Sequence, residues 1–156
     1  MANTPPTTTT FVIPGPPVGK ARPRVTRAGK AYTPPKTRKW EQAAATRCAL
    51  LWRLGDPLLC PVSVQVLALH PRPRARPQQV TPAQWQAGQR IHRPCTPDLD
   101  NVIKACCDAL QLAGVLEDDR QVVHLQAWSA WCAADEKSCV QITISTTPPP
   151  PPEATS

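Results

Sequence analysis

Twenty-one prolines in a chain of 156 residues decide where regular structure can form. Each removes a backbone donor and fixes φ at about −65°, so helix interiors and central strands have to lie between prolines. Residues 1–9 and 146–156 (TTPPPPPEATS) are too rich in proline and threonine to pack, and are expected to be disordered tails. The intervening 10–145 is expected to be one domain, and a 41% hydrophobic content supports a core.

The periodic segments of that domain alternate in type. Thr10–Ile13 reads as a short strand. In 37–54 (TRKWEQAAATRCALLWRL), Trp40, Ala44, Ala45, Cys48, Leu51 and Trp52 recur at helical spacing, and Gly55 and Pro57 end the pattern. Residues 62–70 (VSVQVLALH) read as a strand. The stretch 71–97 is an irregular basic insertion, with room for a short helix after Thr81-Pro82. A second principal helix is expected from about residue 100 to 112, capped near Gly114. Residues 120–131 and 139–145 read as strands, with Val140, Ile142 and Ile144 alternating against polar neighbours. The order predicts an α+β fold: a single domain with a mainly antiparallel mixed sheet and two principal helices.

Several function classes drop out. No apolar run reaches the roughly 18 residues of a membrane span, and the N-terminus lacks a secretory pattern, so a cytoplasmic protein with no membrane partner is expected. Seven cysteines without a CxxC pair argue against a disulfide framework or a zinc ribbon. His92 and Cys95 have no matching second pair. GPPVGKA is not a phosphate loop, because Ala21 stands where Ser or Thr is required. No serine has a nucleophile-elbow context, and the histidines at 70, 92 and 124 are scattered.

Charge placement carries more. Residues 1–40 contain no acid but hold Lys20, Arg22, Arg24, Arg27, Lys30, Lys36, Arg38 and Lys39. Residues 57–97 contain none either, and hold Arg72, Arg74, Arg76, Arg90 and Arg93. A polyanion is the natural partner of such stretches. Against a net charge of +7, six of the eleven acids then fall within residues 96–120: Asp98, Asp100, Asp108, Glu117, Asp118 and Asp119.

Asp98 and Asp100 flank the start of the second helix, and Asp100, Lys104 and Asp108 follow one face at intervals of four. From Asp100 to Leu112 a helix rises about 18 Å. The chain from Leu112 to Asp119 can extend over roughly 23–25 Å, so Asp119 can return to the helix start. On a strand, Asp119 would share the face of Val123, Leu125 and Ala127. Three converging carboxylates need a cation between them, and all-oxygen ligands favour Mg²⁺, with Mn²⁺ as a substitute. A plainer reading stays open from the residues alone. Asp98 or Asp100 caps the helix, Lys104 pairs with a neighbouring aspartate, and 117–119 is a polar turn.

PDLDNVIKACCDAL followed by LEDDRQVV resembles the signature of RusA-type Holliday junction resolvases, and VGKARPRVTRAGKAYTP is similar to the arm of their phage and prophage branch. The resemblance covers roughly residues 10–145, with 71–97 as its departure. It implies metal-binding aspartates at Asp98, Asp100 and Asp119 and an active-site lysine at Lys104. It also implies a Mg²⁺-dependent homodimer that nicks four-way DNA junctions symmetrically, in a bacterial or phage-infected cell. The basic residues from Lys20 to Lys39, joined by Arg72, Arg74 and Arg76, are then expected to contact the DNA backbone. Two other functions fit the composition: a non-catalytic binder of branched or duplex DNA, and a protein-interaction module using the acidic patch and the proline tail.

Overall fold

The computed structural model describes residues 7–52 and 55–152. The expectations for residues 1–6, 53–54 and 153–156 lie outside the described residues. In chain order the elements are β1 (Thr8–Pro14), β2 (Arg24–Val25), β3 (Ala31–Tyr32), α1 (Pro35–Leu51), β4 (Val62–His70), α2 (Pro82–Gln86), β5 (Ile91–His92), α3 (Leu99–Leu112), β6 (Val122–Trp131) and β7 (Cys139–Ser145). A five-stranded sheet runs β1-β7-β4-β6-β5, and β2 and β3 form a separate ribbon. Every neighbouring pair is antiparallel except β4–β6. That parallel pair needs a long crossover, which contains α3. The α+β architecture with a mixed sheet is therefore the observed one.

The core explains the arrangement. Val102, Ala105, Cys106, Ala109 and Leu110 of α3 are all fully buried. Their spacing puts them on one stripe of the helix. Val62, Val64, Val66 and Ala68 of β4 and Val140, Ile142 and Ile144 of β7 line the facing side of the sheet. Burying each Val or Leu is worth about 1.5–3 kcal/mol relative to exposure. On α1 the buried positions are mostly small, Ala44, Ala45 and Cys48, which lets α1 lie close against α3. Trp52, just past the end of α1, closes the core at 7% exposure.

α3 ends in a glycine-capped turn. Val115 N–H donates to the Leu110 carbonyl and Gly114 N–H to that of Gln111, with Gly114 at φ +71°. This is the Schellman arrangement, which requires a left-handed residue. Val115 and Leu116 then turn back into the core, where Leu116 bridges to Leu58.

Three segments differ from expectation. β1 begins at Thr8 and ends at Pro14 because its whole length pairs with β7, from Thr8 opposite Ser145 to Pro14 opposite Cys139. The 71–97 insertion is not wholly irregular. α2 carries a reciprocal cap between Thr81 and Gln84, and β5 pairs with Ala130 and Trp131 at the sheet edge. Finally, β6 starts at Val122, and Asp119–Gln121 is a 3₁₀ turn. The Asp118 carboxylate accepts from Arg120 N–H, and the Gln121 side chain accepts from Glu117 and Asp118 N–H. These side-chain bonds hold the backbone in a turn where a strand ladder was expected.

His70 closes β4 with only 4% exposure, and its Nε2 has no hydrogen-bond partner. Burial, and then the charge of Arg93, push its pKa down to about 4. The unfolded imidazole titrates near about 6.5, so protons favour the unfolded chain below that value. The His70 contribution is therefore complete above the unfolded pKa and is lost as pH falls toward 4. Melting temperature is expected to drop across this window, and His70→Gln is expected to flatten the drop. Parallel melting curves for the two proteins check this.

Candidate nuclease site

The first turn of α3 holds two of the candidate aspartates. Asp98 is the N-cap residue, yet its side chain makes no capping bond. Asp100 lies in the first turn, where the helix dipole favours a carboxylate. Both are exposed, and neither has a side-chain hydrogen bond or ion pair among the described residues. The capping explanation for Asp98 therefore fails on geometry. Lys104 is exposed one turn beyond Asp100 and belongs to none of the ion pairs of the described residues. The expected alternative, a pair with Asp100 or Asp108, is not formed. Asp108 is instead 2.6 Å from Lys20.

Asp119 does not return to the start of α3 as part of a strand. The 3₁₀ turn that carries it lies beside α3, and burial, then the charges of Asp119 and Asp108, push the Cys107 thiol up to about 11. The strand-parity argument does not reach Asp119, because that residue precedes the strand. Val123 and Leu125 are also 60% and 43% exposed, so they do not mark a buried face. Beside it, Arg120 holds the Asp118 carboxyl down at about 2.

These side chains suit a hard divalent cation by chemistry, since they are exposed carboxylates and Asp98 and Asp100 have no other engagement. They do not form a closed cage. Among the described residues no group of three or more His, Cys, Asp or Glu side chains is placed to hold a metal ion.

The basic arm meets this helix at Gly19 and Lys20, and α1 packs against it. β2 and β3 form a hairpin whose loop is closed by Thr26 and Lys30 and turned by Gly29 at φ +78°. Arg22, Arg24, Arg27 and Lys30 on it are exposed and have no side-chain partners among the described residues. Lys36, Arg38 and Lys39 are exposed in the first turns of α1, which has no acid in its first turn. Cations at that positive helix end oppose the dipole, and an external polyanion would relieve them.

Three of the expected DNA contacts have internal tasks instead. Lys20 Nζ lies 2.8 Å from Glu41 and 2.6 Å from Asp108, tying the arm to both principal helices. The Arg72 guanidinium stacks 4.0 Å from the Trp85 ring centroid and donates to the carbonyls of Trp85, Gln89 and Cys132. Arg76 donates to the Val80 carbonyl. Only Arg74 of that trio is exposed without a partner among the described residues. Glu41 and Asp108 were not read from the sequence as anchors, because their partner is 21 or more positions away.

Gly19 brings the arm to α3. Its N–H neighbour Lys20 donates to the Asn101 carbonyl, and a Cβ at Gly19 would stand 2.9 Å from Pro97 Cβ and 3.1 Å from Asn101 Cβ. Gly19→Ala is expected to cost about 1–3 kcal/mol by overpacking. It should also lower the melting temperature more than Ala28→Ser on the hairpin tip, as thermal melts of both variants check.

None of the described helices is long and apolar enough to cross a membrane. Among curated proteins no sequence is found to match the chain. The family model described as endodeoxyribonuclease RusA matches residues 14–145, a span that takes in the basic hairpin, the insertion, the aspartates of α3 and the Asp119 turn. The chain belongs to the RusA family of endodeoxyribonucleases.

Proposed function

We propose that this protein is a structure-selective endonuclease that resolves four-way DNA junctions, using a divalent cation at Asp98, Asp100 and Asp119. The observation that carries the reading is at the N-terminus of α3. Two carboxylates and a lysine without partners among the described residues stand there, where the arm meets α3 at Gly19 and Lys20, inside a region that matches a DNA-cleaving family. A bound Mg²⁺ would polarise the scissile phosphate and lower the pKa of an attacking water. Lys104, with no carboxylate partner among the described residues, would stabilise charge developing on the phosphate oxygens. The hairpin and the first turns of α1 would hold the DNA backbone, leaving the acidic helix end to face one phosphate.

Symmetric resolution needs two sites related by a two-fold axis, which a homodimer supplies. One surface of the sheet supports such pairing. Thr8, Thr10 and Val12 of β1, Gln65 and Leu67 of β4, Gln126 of β6 and Gln141 and Thr143 of β7 lie on the side away from α1 and α3, with no acid, lysine or arginine among them. Charge depletion of this kind marks the core of protein interfaces.

The test compares a synthetic four-way junction with a linear duplex, each with Mg²⁺ and with chelator. Paired nicks at symmetric positions, only on the junction and only with the metal, are expected. Metal-independent cutting, or equal cutting of the linear duplex, would reject the proposal.

A further inference from the structure

The 71–97 segment builds a cleft of about 1320 Å³ between α2, β5 and β6, with Asp98 and Leu99 among its lining residues. β5 pairs only with Ala130 and Trp131, so the outer edge of β6 from Val123 to Trp128 has no partner strand among the described residues. The cleft straddles this edge. Consecutive residues Ala127, Trp128 and Ser129 all line it, although neighbours in a strand point to opposite faces.

The walls specify an occupant. Trp128 is 42% exposed, presenting an aromatic surface that proteins normally cover. Arg93 lines the cleft, and among the described residues its guanidinium donates to the carbonyls of Cys95 and Thr96 and meets no acid. His92 lies beside it, while Arg90 is neutralised by Glu136. The one acid in the lining is Asp98, at the candidate nuclease site. The buried Ser129 Oγ, on the same wall, has no hydrogen-bond partner in the structure.

We infer that this cleft takes an unpaired DNA strand and leads it from the branch point to Asp98, with Trp128 stacking on a base. The inference rests on the nuclease reading above for its substrate. Aromatic surface beside fixed cations is the usual recipe for single-strand binding, since every base has a face to stack. The volume exceeds the roughly 300–1,000 Å³ of small-molecule pockets, which suits a short run of nucleotides. A peptide adding a strand to the free edge of β6 is the rival occupant, but the exposed Trp128 face beside Arg93, whose charge no acid among the described residues cancels, favours a nucleic-acid strand.

Binding is measured in chelator, so that no cleavage occurs, on a duplex bearing an unpaired oligothymidine tail and on a fully paired duplex of equal length. Trp128→Ala is expected to weaken binding of the tailed DNA at least about tenfold and to leave the paired duplex unchanged. Trp128→Phe should keep most of the affinity. Ala83→Trp, an exposed change on the α2 wall, should fill the cleft and give the same selective loss, with folding checked by thermal melts. If the tail adds nothing to wild-type affinity, or if the variants weaken both DNAs alike or neither, the cleft is not a strand site. The two readings separate cleanly. Selective loss without any Mg²⁺-dependent nicking keeps the cleft and removes the nuclease, and nicking without selective loss does the reverse.

Discussion

Asp100→Asn is expected to slow Mg²⁺-dependent junction nicking by about a thousandfold or more, because a metal ligand supplies several kcal/mol of transition-state stabilisation. Junction binding in chelator should be unchanged or slightly tighter, since the variant removes one negative charge beside the DNA. The substitution keeps the shape of the side chain and only removes its charge. Asp100 is exposed and has no hydrogen bond or ion pair among the described residues, so no packing is lost. Its one structural contribution is to the dipole of α3, worth about 0.3–1 kcal/mol. A melting curve therefore separates a folding defect from a chemical one. Mn²⁺ binding followed by calorimetry gives a second readout that does not depend on turnover, and it should be lost in the variant. Wild-type nicking by Asp100→Asn, or full retention of Mn²⁺ binding, would remove Asp100 from the site.

The sequence discloses the first part of this site better than the last, for a physical reason. Asp98, Asp100 and Lys104 are positioned by one local element, and the helical period of Val102, Ala105, Cys106, Ala109 and Leu110 is written directly in the chain. Asp119 depends on how a turn closes. Reach alone allows it to approach the helix start, and the path it takes is set by Val115 and Leu116, which are drawn into the core. Asp118 and Gln121 then lock a 3₁₀ turn by side-chain bonds that no period reveals. The core strands were readable from alternation, whereas two-residue strands such as β5 exist only because a distant partner edge is available. The arm shows the same limit. Its charge was plain, but the exclusion of Lys20, Arg72 and Arg76 from the free cations follows from partners brought close by the fold.

That sorting of cations makes the salt dependence quantitative. Arg22, Arg24, Arg27, Lys30, Lys36, Arg38 and Lys39 are exposed and have no side-chain partners among the described residues. If each contacts a phosphate, the plot of log affinity against log salt should have a slope of about −6, from about 0.9 counterions released per contact. Between 50 and 200 mM salt, junction affinity should then fall by about 10³–10⁴-fold. Replacing Arg22, Arg24, Arg27 and Lys30 together with Gln should reduce the slope by about three to four. Replacing Arg76, already bonded to Val80, should leave it nearly unchanged. Metal is withheld throughout, so that Mg²⁺ does not compete for phosphates. The contrast between the two variants matters more than either value, because total charge alone would make every lost cation count equally. A flat salt response would take the hairpin out of the DNA interface. Equal effects per residue from the hairpin and from Arg76 would mean that net charge, rather than the placement of free cations along one path to α3, draws the DNA in.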